Sequence, residues 1–101
     1  MLLSMMRQFE AASQKYADEN GIARDPDWFM LKLQEEVGEV TQAWNGLTGR
    51  GRSRGRCEEE MKRDLADETA DLLGHVLLLA HRNGLDLENS IERKWRFKPG
   101  A

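Results

Sequence analysis

Glu36, Glu39, Glu68 and Asp71 are the residues of this chain best placed to do chemistry. They form two E-x-x-[ED] pairs, one in "LQEEVGEV" and one in "LADETADLL". With ~100° per residue on a helix, Phe29, Leu33, Val40, Trp44 and Leu47 make one apolar stripe. Glu36 falls about 20° outside the edge of that stripe, Glu39 sits at its rim, and Glu35 points away to solvent. A shift of 32 residues repeats the pattern in Met61, Leu65, Leu72, Val76 and Leu79, with Glu68 and Asp71 replacing Glu36 and Glu39. If the two helices pack antiparallel, four carboxylates converge. Burying unpaired carboxylates together is costly, so either arginine and lysine partners or a divalent cation must compensate. Mg²⁺ takes hard oxygen ligands in octahedral geometry and keeps positions for water and phosphate oxygens. Acids at i and i+3 on facing helices are one way to build such a site in a bundle.

The elements that position these acids are all helical. Leu2, Met6, Phe9, Ser13 and Tyr16 recur at three- and four-residue steps, which predicts a helix from about Leu2 to Asn20 that stops at "NG". "RDPDW" opens a second helix with Asp25 as N-cap and Pro26 in the first position, continuing to about Leu47. The short connection between the two predicts antiparallel neighbours. "TGRGRSRGR", residues 48–56, has no apolar face and reads as a flexible arginine–glycine loop. A third helix follows from near Cys57 to about Arg82, with Glu58, Glu59 and Glu60 at the positive end of its dipole. Asp86 is placed to cap a short fourth helix carrying Ile91 and Trp95. The expectation is a single all-α domain over residues 1–101.

Composition narrows the function classes. Apolar residues at 40% support a core, and a net charge of −3 gives no case for a stable nucleic-acid partner or an anionic membrane surface. Cys57 is the only cysteine, which excludes an internal disulfide and a cysteine-based zinc site. No apolar run approaches the ~20 residues of a membrane helix, and Arg7 interrupts "MLLSMMR" too soon for a secretory segment. A reducing cytoplasm is the expected compartment. No Walker-type loop, Ser-His-Asp constellation or cysteine nucleophile is present.

"LKLQEEVGEVTQAW" followed by "DLADETADLLGHVLLLA" resembles the MazG-like all-α nucleoside triphosphate pyrophosphohydrolases, whose signature is E-x-x-E, a spacer, and E-x-x-D. Here it reads Glu36-Val-Gly-Glu39, a spacer of 28 residues, and Glu68-Thr-Ala-Asp71. "LDLENSIERKWRF" also looks like that family's C-terminal segment. The resemblance implies a four-helix bundle assembling as a homodimer or homotetramer. It implies Mg²⁺, or Mn²⁺ in its place, held by Glu36, Glu39, Glu68 and Asp71. It further implies hydrolysis of (deoxy)nucleoside triphosphates between the α- and β-phosphates, with Glu35, Glu36 or Glu39 orienting or deprotonating the attacking water. Nucleotide-pool house-cleaning is the role such a reaction suggests. Two alternatives stand beside it: phosphoribosyl-ATP pyrophosphohydrolase, which shares the fold, and a non-catalytic oligomerisation module whose acids pair with arginines.

Cationic and aromatic residues fill in the substrate side. Lys32 lies one turn before Glu36, and Lys94 and Arg96 lie in the C-terminal "ERKWRF" stretch; all three are candidate phosphate ligands. Trp28 is a candidate for the mouth of a base pocket, whereas Trp44 reads as core. His75, one turn beyond Asp71, reads first as a hydrogen-bonded bundle histidine. The arginines at 50, 52, 54 and 56 fit three readings: a polyphosphate lid, an RNA-backbone contact, or a solvated loop.

Overall fold

The computed structural model describes residues 1–100, and among them there are four helices and no strand. They are α1 (Leu2–Asn20), α2 (Pro26–Leu47), α3 (Glu58–Arg82) and α4 (Leu87–Trp95). The all-α expectation and its element boundaries hold because the ends are written in local chemistry. Gly21, at φ 63°, closes α1 in the left-handed conformation that glycine adopts freely. Asp25 accepts the Trp28 N–H at 2.8 Å, and Pro26 occupies a position where no N–H is needed. The Cys57 N–H donates to Glu60 Oε1 at 3.0 Å at the start of α3. Asp86 accepts the Asn89 N–H at 3.0 Å at the start of α4.

Helix α3 is the central element. α2 runs antiparallel along it, since Gly46 approaches Met61, Glu39 meets Glu68, and Trp28 lies beside His75. α1 also packs on α3 rather than on α2, contrary to the expectation from the short connection. Met6 of α1 is buried with Leu77 and Ala80 of α3, flanked by Leu2, Met5, Phe9 and Leu87. The close approach depends on Gly74, where a Cβ would stand 2.7 Å from Phe9 Cε1.

Two covered faces on α3 explain where the single-stripe reading fails. Gly74, Leu77, Leu78 and Ala80 are the buried residues of α3, while Val76, expected inside, is exposed. On α1 it is Ala17, not Tyr16, that turns inward. Trp44, expected in the core, is 48% exposed. Met30, Val37 and Trp44 recur at seven-residue steps and leave an apolar strip of α2 uncovered, with Leu73 and Val76 likewise exposed on α3. The radius of gyration is 15.8 Å, above the ~13 Å of a compact domain this size. No helix among the described residues is long and apolar enough to cross a membrane.

Candidate active site

Three of the four acids meet where α2 and α3 face each other. Glu36 and Glu39, one turn apart on α2, and Glu68 on α3 each present a carboxylate oxygen within 4.8 Å of the others. The i, i+3 spacing puts the α2 pair on one side of that helix, and the antiparallel register brings Glu68 opposite. Glu36 is the only buried charged side chain among the described residues, 6% exposed. Glu36 Oε2 and Glu68 Oε2 are both buried without a hydrogen-bond partner.

The electrostatics follow from that crowding. Burial is the main force raising the Glu36 pKa, followed by the charges of Glu39 and Asp71, with Lys32 opposing. Glu68 is pushed up to about 7, first by burial, then by the adjoining Glu39 carboxyl, then by Asp71 and Glu36. His75 Nε2 lies 3.7 Å from Glu36 Oε1, but burial and then Lys32 hold the imidazole pKa below its ordinary value. A neutral imidazole does not neutralise Glu36. No arginine or lysine among the described residues pairs with Glu36, Glu39 or Glu68.

The remaining candidates scatter around this centre. Asp71 is exposed and outside the three-carboxylate group, although close enough for its charge to raise both Glu36 and Glu68. Glu35 is exposed and pairs with Lys32 at 3.3 Å. Trp28 is half-buried, its ring 6.1 Å from that of His75, so these two and Glu36 share one end of the site. Lys94 and Arg96 are exposed at the end of α4, and neither lines the cleft described next.

Sequence reasoning did not foresee how the arginine loop folds. Beside Glu39 and Glu68 opens a cleft of about 530 Å³ whose other wall is Arg52, Ser53, Arg54 and Arg56. Arg56 is held by Asp64 through Nε–Oδ2 at 2.7 Å and Nη2–Oδ1 at 2.9 Å. The eight-residue separation of Arg56 and Asp64 across a helix start carried no periodic signal to find this pair.

Three clustered carboxylates with two orphaned oxygens and no internal cation fit a hard divalent metal ion. Glu36, Glu39 and Glu68 would hold it, with Asp71 placed at the margin. Such an ion binds phosphate oxygens, so the donor set and the arginines that line the adjoining cleft point to polyphosphate chemistry.

Comparison with known proteins bears on the reaction. A family model described as phosphoribosyl-ATP pyrophosphohydrolase matches residues 5–94, a span that contains every residue of the acidic site. The match names the relative set down as an alternative in the sequence reading, not the MazG-like enzymes placed first. Searches of curated proteins and of solved structures returned no match.

Proposed function

The chain belongs to the phosphoribosyl-ATP pyrophosphohydrolase family, and from that premise we propose that it hydrolyses the α–β phosphoanhydride of phosphoribosyl-ATP, releasing phosphoribosyl-AMP and pyrophosphate. The observation that carries this reading is the convergence of Glu36, Glu39 and Glu68 with no internal cation, inside the matched segment. Mg²⁺, when bound, supplies charge neutralisation and polarisation of the phosphoryl oxygens.

The chain's own residues do the rest by positioning. Glu36, Glu39 and Glu68, with Asp71 beside them, would hold the cation to which the reacting phosphate binds. A carboxylate of the Glu35–Glu39 segment orients the attacking water and accepts its proton. Lys32, held near Glu35, shares that side of the site. Trp28 and His75 border it and offer flat surfaces for the nucleoside.

A second reading, hydrolysis of ordinary (deoxy)nucleoside triphosphates, is supported by the spacing of the two acidic pairs, which resembles the MazG-like signature. One assay separates them. Pyrophosphate release is measured with phosphoribosyl-ATP and with a panel of nucleoside triphosphates, each in Mg²⁺ and in EDTA. Phosphoribosyl-ATP is expected to lead the panel, with release abolished by EDTA. Preference for a nucleoside triphosphate would replace the substrate, and release of nothing from any of them would remove the enzymatic reading.

Assembly belongs to the same proposal. The uncovered apolar strip of Met30, Val37 and Trp44, with Leu73 and Val76 of α3, suits a homodimer or homotetramer. Light scattering of the purified protein decides it, and a monomer would contradict this part.

A further inference from the structure

The loop joining α2 to α3 is folded, not merely tethered. The Arg50 and Gly51 N–H groups both donate to the Asn45 carbonyl at 2.9 Å, which turns the chain back against the last turn of α2. The Arg56 N–H then donates to the Ser53 carbonyl at 3.1 Å, closing a turn whose central residues, Arg54 and Gly55, have φ of 55° and 75°. Two positive φ values define a type I′ turn, and an arginine in its first central position is unfavourable relative to glycine or asparagine. The strained residue is one of those lining the cleft beside Glu39 and Glu68. Arg56 is fixed by Asp64, whereas Arg52 and Arg54 make no ion pair among the described residues.

We propose that Arg52 and Arg54, beside the anchored Arg56, form the subsite for the leaving pyrophosphate; this rests on the α–β hydrolysis proposed above. In that step water oxygen bonds to the α-phosphorus and the bond from the α-phosphorus to the bridging oxygen breaks. The electron pair passes to the bridging oxygen, so negative charge grows on the pyrophosphate. The unpaired guanidinium groups of the arginines that line the cleft meet it with charge-assisted, paired hydrogen bonds. Glu39 and Glu68 line the same cleft and repel an anion there until a cation is bound. A single-stranded RNA backbone, the other ligand of arginine–glycine segments, would have to run its phosphates past Glu39, Asp64 and Glu68.

The test is calorimetric titration of inorganic pyrophosphate, and separately of AMP, into the full chain with Mg²⁺ present. Wild type is compared with Arg54→Gly and with the Arg52→Ala/Arg54→Gly double variant. Glycine accepts the φ of position 54, so the variant should fold at least as stably as wild type. The pyrophosphate dissociation constant is expected to rise about tenfold or more in the double variant, while that of AMP stays put. An unchanged pyrophosphate constant, no pyrophosphate binding by wild type, or tighter arginine-dependent binding of a short single-stranded RNA would overturn the subsite. Protein that releases pyrophosphate from substrate yet ignores the arginine substitutions contradicts the subsite alone. Protein that binds pyrophosphate through the arginines but cleaves no substrate contradicts the reaction and leaves an anion site standing.

Discussion

Two groups of charged side chains lie against the core of this molecule, and they are balanced in opposite ways. In the first, Arg24 from the α1–α2 connection meets Glu10 of α1 at 2.6 Å and also bonds Ser13 and Gln14. Its guanidinium lies over the rings of Phe29, at 5.2 Å, and Trp28, at 5.9 Å. The hydrogen bond from Arg24 lowers the Glu10 carboxyl pKa. In the second group, Glu36, Glu39 and Glu68 crowd together with no cation of their own, and burial raises Glu36 and Glu68. The chain balances the charge of the first arrangement by itself, although Arg24 Nε is left without a hydrogen-bond partner. It leaves the second to be completed from outside, which is the physical mark of a site as opposed to a brace.

The sharpest way to break the comparison is to remove one charge from each side. Glu68→Gln should lower the rate of pyrophosphate release by about 100-fold or more, with circular dichroism showing the helices intact. Arg24→Met should do the reverse. It strands Glu10 and removes the stacked guanidinium, so denaturant unfolding is expected to show a loss of about 2 kcal/mol. That is below the ~3–5 of a fully buried pair because Glu10 keeps some solvent contact. Activity per folded molecule should survive.

Gly74→Ala has a smaller expected effect. Alanine favours helix, but its Cβ collides with Phe9. Equilibrium unfolding should register a loss of about 1–2 kcal/mol, again without loss of turnover in what remains folded. A matching fall in turnover would show that the α1 side and the acidic side are not separable.

The smallest effect is in pH. Glu68 has its folded pKa raised from 4.5 to about 7, so its contribution to stability is complete below its unfolded pKa and is lost as pH rises through the folded one. Glu10 is lowered by Arg24, so its contribution is present above its unfolded pKa and is lost as pH falls through the folded one. In EDTA the melting temperature should therefore decline by a few degrees between about pH 5 and 8. Glu68→Gln should flatten that limb, and Glu10→Gln the acid limb.

The sequence showed these regions unequally. Helix ends were plain because Asp25-Pro26, Asn20-Gly21 and Asp86 are local signals that need no tertiary context. The acidic pairs were plain because a 32-residue shift repeats the same phase, and antiparallel packing of α2 on α3 does bring three of those residues together. Asp71 did not join them, since it lies at the rim of the helix face where a few degrees of rotation decide exposure. The role of α3 as a helix covered on two sides is invisible to a one-stripe wheel, which puts Val76 inside and gives Gly74 no signal. Arg24 gave no signal either. Its partner Glu10 is fourteen residues back across a loop, a separation that no period relates.

The most direct measurement of the central claim is thermal unfolding of wild type and Glu68→Gln at pH 8, each in EDTA and in saturating Mg²⁺. Wild type is expected to melt higher with Mg²⁺ than without, because a ligand that binds only the folded state stabilises it. Glu68→Gln should melt higher than wild type in EDTA, having lost a carboxylate that is costly to ionise, and should show no further gain from Mg²⁺. A wild type indifferent to Mg²⁺, with Glu68→Gln less stable in both conditions, would make the cluster a structural brace after all and contradict the account.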